Sequence, residues 1–197
     1  MPVLAPEMPA KLARSAFELF ARYGIRNVNL DRVAAHCGVT KGSLYWHFRS
    51  KRELVLAACE HYYQNYLATI RQAAGQTEDP GERLERVLKL SVKICLLDEK
   101  NRVFTMDVWA LSAKDKMLRK SWRRFYDQVR QFFVQLLEQA GVTTSEAVRK
   151  ADMMLGVFEG IKLRAMFEPE ICAPSEAARI VAELKGMVSV PISRGDS

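Results

Sequence analysis

The stretch from Leu30 to Lys51 constrains the fold of this chain more than any other, and it reads LDRVAAHCGVTKGSLYWHFRSK. Apolar residues at helical spacing predict a short helix that begins at Leu30, with Asn29 as its N-cap. Gly38 is predicted to end that helix, because a sharp corner needs a backbone conformation that glycine adopts without steric cost. Thr40 is suited to cap a second short helix directly after the corner. The pattern therefore predicts a helix-turn-helix, whose second helix enters the major groove of DNA.

The second helix of this motif has an outer face of polar and aromatic residues. Leu44 and Phe48 lie four residues apart and are predicted to face inward. Two aromatic rings and a histidine on the opposite face of a short helix are costly in water unless something binds there. The residues of this outer face are Lys41, Gly42, Ser43, Tyr45, Trp46 and His47. Lys51 opens the next helix, where backbone N–H groups and a positive side chain favour an anion such as a DNA phosphate.

Positive charge is concentrated in the first quarter of the chain. Residues 1–56 contain nine Lys or Arg and four Asp or Glu, so this quarter carries +5 of the formal net charge of +7. Such an asymmetry is expected of a segment that meets a polyanion. Charge alone leaves a merely basic surface as an equal alternative.

Four widely spaced cysteines form no C-x-x-C pair and have no zinc-finger spacing with histidine. Disulfides and a metal site are therefore not expected, and each thiol is predicted to be a small buried side chain. No signal segment opens the sequence, and no apolar run reaches the roughly 18–20 residues that span a membrane. We expect a protein of the reducing cytoplasm that needs no cofactor and no membrane.

The pattern of apolar residues predicts helices throughout and no strands, about nine helices in all. The shift in charge near residue 55 predicts a three-helix DNA-binding domain at 1–55, with its reading motif at about 30–48. A larger helical domain for ligand binding and dimerisation is predicted at 56–190, followed by a tail at 191–197. The predicted fold class is all-α.

The sequence NLDRVAAHCGVTKGSLYWHFRSKRELV resembles the TetR family of one-component transcriptional regulators. The family pattern is a capping residue, I/V-A, A-G-V-S/T, a short glycine-containing link, L-Y-x-H-F, x-x-K and E-L. The resemblance covers about residues 10–60 and is specific because many positions match at fixed spacing. Cys37 replaces the usual alanine, and Arg32 stands where an acid is common, so a charge favoured in the first helical turn is lost.

This resemblance implies roles for the residues of the reading motif. Thr40, Tyr45 and His47 are expected to donate hydrogen bonds to phosphate oxygens, together with Lys51. Gly42 is expected to let the backbone approach the DNA. Packing against the first helix stays an alternative for both Tyr45 and Trp46. Contacts inside the groove are expected from Lys41, Ser43 and Trp46.

Large apolar side chains of the second domain are candidates for an effector pocket among its helices. The alternative is that they form an ordinary hydrophobic core, which is the commoner use of aromatic and methionine stripes. The candidates are Phe104, Met106, Trp109, Trp122, Phe125, Tyr126, Met154 and Phe158.

The segment MMLGVFEGI at 153–161 is apolar nearly all round and is therefore expected to be buried on more than one side. Two glycines four residues apart permit another helix to approach, and a second apolar stripe follows in the last predicted helix. We interpret both as a dimer interface, with a central core helix as the alternative. The predicted interface residues are Met153, Gly156, Gly160, Val181, Leu184 and Val188. The segment LGVFEGIKLRAMFEP also looks like a dimer helix in a TetR subgroup that includes choline-sensing repressors, which does not assign choline as the ligand.

Together these features predict a homodimeric transcriptional repressor that a small-molecule effector of unknown identity releases from a palindromic operator in double-stranded DNA. An enzyme is the rival from another class, but no Ser/His/Asp arrangement, phosphate-binding glycine loop or metal-ligand cluster is visible, so no catalytic residue is expected. A helical module that binds protein, an activator, and a regulator without an effector stay open as alternatives.

Overall fold

The structure is a computed structural model that describes residues 7–188, so the predicted tail at 191–197 lies outside the described residues. Within residues 7–188 the chain forms nine α-helices and no strand, which confirms the predicted all-α fold. The helices are α1 (Glu7–Tyr23), α2 (Leu30–Cys37), α3 (Lys41–His47), α4 (Lys51–Ala74), α5 (Pro80–Val92), α6 (Glu99–Ser112), α7 (Lys116–Gln139), α8 (Thr144–Arg164) and α9 (Pro174–Val188). Short helical turns at Ile25–Asn27, Lys93–Leu97 and Pro169–Cys172 lie between α1 and α2, α5 and α6, and α8 and α9.

The described residues divide into two compact units. The first unit combines the residues up to Ala68 with Asp98–Phe125. The second combines Thr69–Leu97 with the residues from Tyr126 onward. The first unit thus contains more than the predicted DNA-binding domain at 1–55, because α1 packs along α6 as well as against α2. The functional boundary near residue 55 stays a prediction.

The core of the first unit is rich in aromatic rings from α1, α4, α6 and α7. Neighbouring rings have centroid separations of 4.3–6.3 Å, and the shortest of these joins the stacked rings of Tyr63 and Phe125. Cys59 is buried beside them, and burial raises the pKa of its thiol to about 12. The thiol therefore stays protonated and packs as a small, nearly apolar group. The rings of this aromatic cluster are Phe17, Tyr62, Tyr63, Tyr66, Phe104, Trp122 and Phe125.

The second unit is built around α5, α8 and α9. Helix α5 packs against α9, and α8 contacts α9 and the turns at Lys93–Leu97 and Pro169–Cys172. Its fully buried side chains include Leu88, Leu137 and Met154. These contacts bury the apolar stripes of the three helices.

Candidate nucleic-acid interface

Side-chain caps and one glycine shape the helix-turn-helix as the sequence predicts. The Asn29 Oδ1 accepts a hydrogen bond from the Arg32 N–H at 2.8 Å at the start of α2. Gly38 follows α2 with φ at 70° and ψ at 32°, the left-handed region that residues with a side chain rarely adopt. The Thr40 Oγ1 accepts from the Ser43 N–H at 3.1 Å and so caps α3. Thr40 therefore has a structural role besides any contact with phosphate.

Helix α3 has one buried side and one exposed side. Leu44 is fully buried, as the spacing predicts, and Phe48 directly after the helix is half-buried. On the opposite side, Lys41, Gly42 and Tyr45 are exposed, and Ser43 is half-buried. The core contact of Leu44 therefore fixes which side of α3 faces solvent.

Trp46 is 70% exposed, although its indole is the largest apolar group on α3. Its ring contacts the ring of His47 edge-on, with the two centroids 4.6 Å apart. This exposure disfavours the alternative in which the indole packs against the first helix. The His47 ring is half-buried, and its Nε2 is shielded from solvent and has no hydrogen-bond partner among residues 7–188. A phosphate contact by His47 therefore requires Nδ1 or a rotated ring.

Lys41 forms an exposed ion pair with Asp31 of α2, with 2.8 Å between Nζ and Oδ2. The hydrogen bond to the Asp31 carboxylate raises the pKa of Lys41 above its usual value. Ion pairs at exposed sites contribute about 0–1 kcal/mol to stability. Lys41 can therefore exchange Asp31 for an acceptor on DNA at little cost.

Lys51 is half-buried at the first position of α4, and its Nζ donates to the backbone carbonyl of Arg26 at 3.1 Å. Burial lowers the pKa of Lys51 below its usual value. The Ser50 Oγ accepts from the Glu53 N–H at 3.2 Å, while the Glu53 carboxylate accepts from the Arg49 N–H at 2.8 Å. This reciprocal capping orders the backbone at the start of α4, where the predicted anion site lies.

Two carboxylates from far along the chain also contact this region, and the sequence offered no signal for either. The Asp107 Oδ2 on α6 accepts from the Ile25 N–H at 2.7 Å. Asp115 pairs with Arg52 of α4, with 2.8 Å between Arg52 Nε and Asp115 Oδ2. Their partners lie 82 and 63 residues away in sequence, a separation at which helical periodicity carries no information.

The residues predicted to line an effector pocket fall in both units. In the first unit, Phe104, Trp122 and Phe125 belong to the aromatic cluster, Met106 is half-buried, and Trp109 is 53% exposed. The exposed indole of Trp109 is not enclosed as a pocket-lining side chain would be.

In the second unit, Met154 and Phe158 are buried and Tyr126 is half-buried. A cavity of about 500 Å³ lies between α5 and α9 of this unit, and none of the eight residues predicted to form an effector pocket lines it. The role of the eight residues as an effector site stays a prediction.

The residues predicted to form a dimer interface divide by exposure. Met153, Gly156 and Gly160 are exposed on α8, and a Cβ added at either glycine would meet no other atom within 4 Å. On α9, Val181, Leu184 and Val188 are buried within their own unit, with Leu184 only 1% exposed. The stripe of α9 therefore already has partners inside the chain and offers little surface to a second copy.

The described residues were compared with the requirements of a membrane-spanning helix and of a metal site. In residues 7–188, no helix is both long and apolar enough to cross a membrane. The same residues contain no group of three or more His, Cys, Asp or Glu side chains arranged to hold a metal ion.

The chain matches two protein families over adjoining stretches. Residues 12–58 match the family described as bacterial regulatory proteins, tetR family. Residues 80–185, more than half of the chain, match the family described as BetI-type transcriptional repressor, C-terminal. The first stretch contains the whole helix-turn-helix.

Curated relatives match part of the chain. The chain is 31% identical over 101 residues to the HTH-type transcriptional regulator TtgR of Pseudomonas putida. That matched stretch is 50% of this chain and 47% of the relative. It is 35% identical over 83 residues to the HTH-type transcriptional activator FasR of Mycolicibacterium smegmatis. That matched stretch is 42% of this chain and 38% of the relative. The matched stretches thus span less than half of each relative.

A solved structure of a transcriptional regulator from Saccharomonospora viridis in complex with choline has the same fold, with a TM-score of 0.79 at 20% identity. The superposition covers 93% of this chain and 96% of that one. The predicted resemblance is confirmed by the two family matches. By these two family matches, the chain belongs to the TetR family of DNA-binding transcriptional regulators, which are not enzymes.

Proposed function

We propose that this chain is a homodimeric repressor that binds a palindromic operator in double-stranded DNA and leaves it when a small-molecule effector binds. The observation that carries the proposal is the outer face of α3, where a largely exposed indole projects from a helix anchored by a fully buried Leu44. An exposed indole is costly in water unless a partner covers it. The major groove of DNA is a partner that accommodates a helix of this kind.

The contacts to DNA follow from the chemistry of the side chains. Trp46 is suited to pack on thymine methyl groups, and Lys41 is suited to donate to the acceptors of guanine. Ser43 is a third candidate for a base edge, and Gly42 lets the backbone come close. The candidates for phosphate contacts are Thr40, Tyr45, His47 and Lys51.

A second copy is required because one reading helix contacts only a few base pairs. Helix-turn-helix dimers place their two reading helices about 34–36 Å apart, in successive major grooves. Helix α8 supports such a dimer, because Met153, Gly156, Gly160 and Leu163 follow one another at intervals of three or four residues and all are exposed. Met153 is 60% exposed, and an exposed apolar seam with two glycines favours close packing of another helix.

The effector would bind the C-terminal helices and shift the population towards dimers whose reading helices are wrongly spaced. Aromatic rings attract cations over their faces, and Trp122 and Phe125 of α7, whose ring centroids lie 5.7 Å apart, are among the residues predicted to line the pocket. The S. viridis regulator of similar fold contains choline. Choline is therefore the first effector to test, against a neutral analogue of the same size.

The proposal is tested by a gel shift with the DNA directly upstream of the gene for this protein, over a series of salt concentrations. We expect binding that weakens steeply with salt, because Lys and Arg side chains release counterions from phosphates. A fragment with two half-sites should bind much more tightly than a fragment with one. No binding at low salt to this fragment or to pooled genomic fragments would refute the proposal.

A reporter gene behind the bound fragment gives the sign of regulation. We expect lower expression when the protein is present and recovery when the effector is added. Higher expression would instead assign an activator. A regulator of this kind acts where the bacterial chromosome lies, in the cytoplasm.

A further inference from the structure

Side chains of two other helices form hydrogen bonds with the backbone of the short helical turn at Ile25–Asn27, between α1 and α2. At its first residue, the Ile25 N–H donates to the Asp107 carboxylate of α6 at 2.7 Å. At its second residue, the Arg26 carbonyl accepts from the Lys51 ammonium of α4 at 3.1 Å. The turn therefore lies between a carboxylate of α6 and the cation at the start of α4.

The fit between Asp107 and the turn is close. Gly24, directly before the turn, has φ at 80°, and a Cβ built on it would lie 3.4 Å from the Asp107 Oδ2. The carboxylate thus sits directly against the backbone. The first N–H groups of a helical turn lack partners inside the turn, and a hydrogen bond to a carboxylate is roughly twice as strong as one between neutral groups.

Lys51, which donates to the second residue of the turn, is the candidate phosphate ligand. An ammonium group has three N–H donors, and one of them is directed at the Arg26 carbonyl. The remaining donors are available to a phosphate. The position of the ammonium therefore depends on the turn, and the position of the turn depends on Asp107.

A second link ties the start of α4 to the helices that follow α6. Arg52, the neighbour of Lys51, contacts the Asp115 carboxylate at 2.8 and 2.9 Å. Asp115 also accepts from the Met117 N–H at 2.8 Å and so caps α7. Residues from α6 onward therefore hold the turn that Lys51 contacts and also pair with the side chain of Arg52, the neighbour of Lys51.

We propose that Asp107 is a positioning residue for DNA binding, which holds the turn at Ile25–Asn27 so that the Lys51 ammonium meets a phosphate. The inference rests on the proposed function, because it assigns a role in DNA binding.

The sign of the effect separates positioning from simple electrostatics. Loss of the negative charge of Asp107 should by itself strengthen binding to a polyanion. Positioning predicts the opposite for Asp107→Ala, which removes the acceptor as well as the charge. Asp107→Asn removes the charge but keeps an oxygen that can accept from the Ile25 N–H. Glu99→Ala is a matched control, because Glu99 is exposed at the start of the same helix.

The experiment measures the dissociation constant of the full-length protein for its best genomic fragment, by fluorescence anisotropy over a salt series. We expect Asp107→Ala to weaken binding about tenfold, as for the loss of a hydrogen bond to a charged group. Asp107→Asn should bind within about threefold of the wild type or tighter, because its amide oxygen keeps the hydrogen bond from the Ile25 N–H. Glu99→Ala should stay within the same range, because a single charge at an exposed site has a small effect. The salt dependence of Asp107→Ala should become less steep, by about 0.9 per protomer in the log–log slope.

A double variant tests whether Asp107 acts through Lys51. In the Lys51→Ala background, Asp107→Ala should cost no further affinity, because the cation that it positions is gone. Additive losses would overturn the inference, and so would wild-type affinity in Asp107→Ala. If Asp107→Ala fails to fold, Asp107→Ser takes its place. The serine side chain is too short to reach the Ile25 N–H, so this variant also removes the acceptor. Failure of the wild type to bind any DNA would instead refute the proposed function.

Discussion

Leu44 and Trp46 lie two residues apart on α3, and truncating each to alanine should have opposite consequences. Leu44 is fully buried in the core of the first unit, whereas Trp46 is largely exposed. Leu44→Ala should therefore reduce stability and leave the DNA-facing chemistry intact. Trp46→Ala should leave stability nearly intact and change which DNA sequences are bound.

The burial of the two side chains sets the expected magnitudes. Truncating a fully buried leucine costs about 2–5 kcal/mol of stability, from lost transfer free energy and the cavity left behind. Trp46 has one edge-on ring contact, with His47, and such pairs contribute about 0.5–1.5 kcal/mol when buried, so its loss costs less here. A chain of this size loses about 2–4 °C in Tm per kcal/mol. We expect a fall of at least about 4 °C for Leu44→Ala and of no more than about 2 °C for Trp46→Ala.

The Tm values are measured by thermal unfolding followed by circular dichroism. Affinity for a panel of operator sequences is measured by fluorescence anisotropy at a temperature where both variants are folded. Leu44→Ala should keep the wild-type ranking of operators. Trp46→Ala should change that ranking, most strongly at positions where thymine is replaced. Equal losses of Tm in the two variants would show that the indole is structural. A uniform loss of affinity across the panel would refute its role in base recognition.

Three further predictions follow from other described contacts. Lys51→Ala should weaken binding to all DNA sequences and make the salt dependence less steep, whereas an unchanged slope in the salt series would exclude the phosphate contact. Gly160→Lys should give a folded monomer in analytical ultracentrifugation, because the chain itself leaves room for the side chain and only a second copy would collide with it. A dimer of wild-type affinity would place the interface elsewhere. Hydrogen bonds, first of all from Lys185, lower the pKa of Glu85 to about 2. Because the folded pKa is lowered, the stabilising contribution of this carboxylate is complete above about pH 5 and is lost as the pH falls towards 2. The difference in unfolding free energy between the wild type and Glu85→Gln should therefore stay constant above about pH 5 and shrink below it, and a constant difference at all pH values would contradict this.

The parts of the reading motif that could be predicted are those that depend on neighbours in sequence. Asn29, Gly38 and Thr40 act on backbone atoms no more than four residues away. Residue type and spacing therefore suffice to identify a cap, a corner and a second cap. The inward direction of Leu44 is local in the same sense, because helical periodicity determines it.

Contacts between distant segments could not be predicted in this way. Asp107 and Asp115 are ordinary acidic residues of a helix and a helix cap until the fold brings them to Ile25 and Arg52. The apolar stripe of α9 was recognised from its spacing, but the spacing does not say what covers it. Leu184 is covered by its own unit, while Met153 of α8 remains exposed. Periodicity identifies an apolar face, and only the packing identifies its partner.

The first compact unit takes its residues from two separated segments, and this has a consequence for biosynthesis. Helix α1 emerges from the ribosome before α6, yet part of its apolar face packs on α6, which is translated only after Leu97. At roughly 5–20 residues per second, synthesis from Ala68 to Phe125 takes several seconds. During that interval the nascent reading motif lacks part of its final support. Its maturation therefore depends on later translation, and a ribosome that stalls in α5 would present an incomplete core to chaperones and proteases.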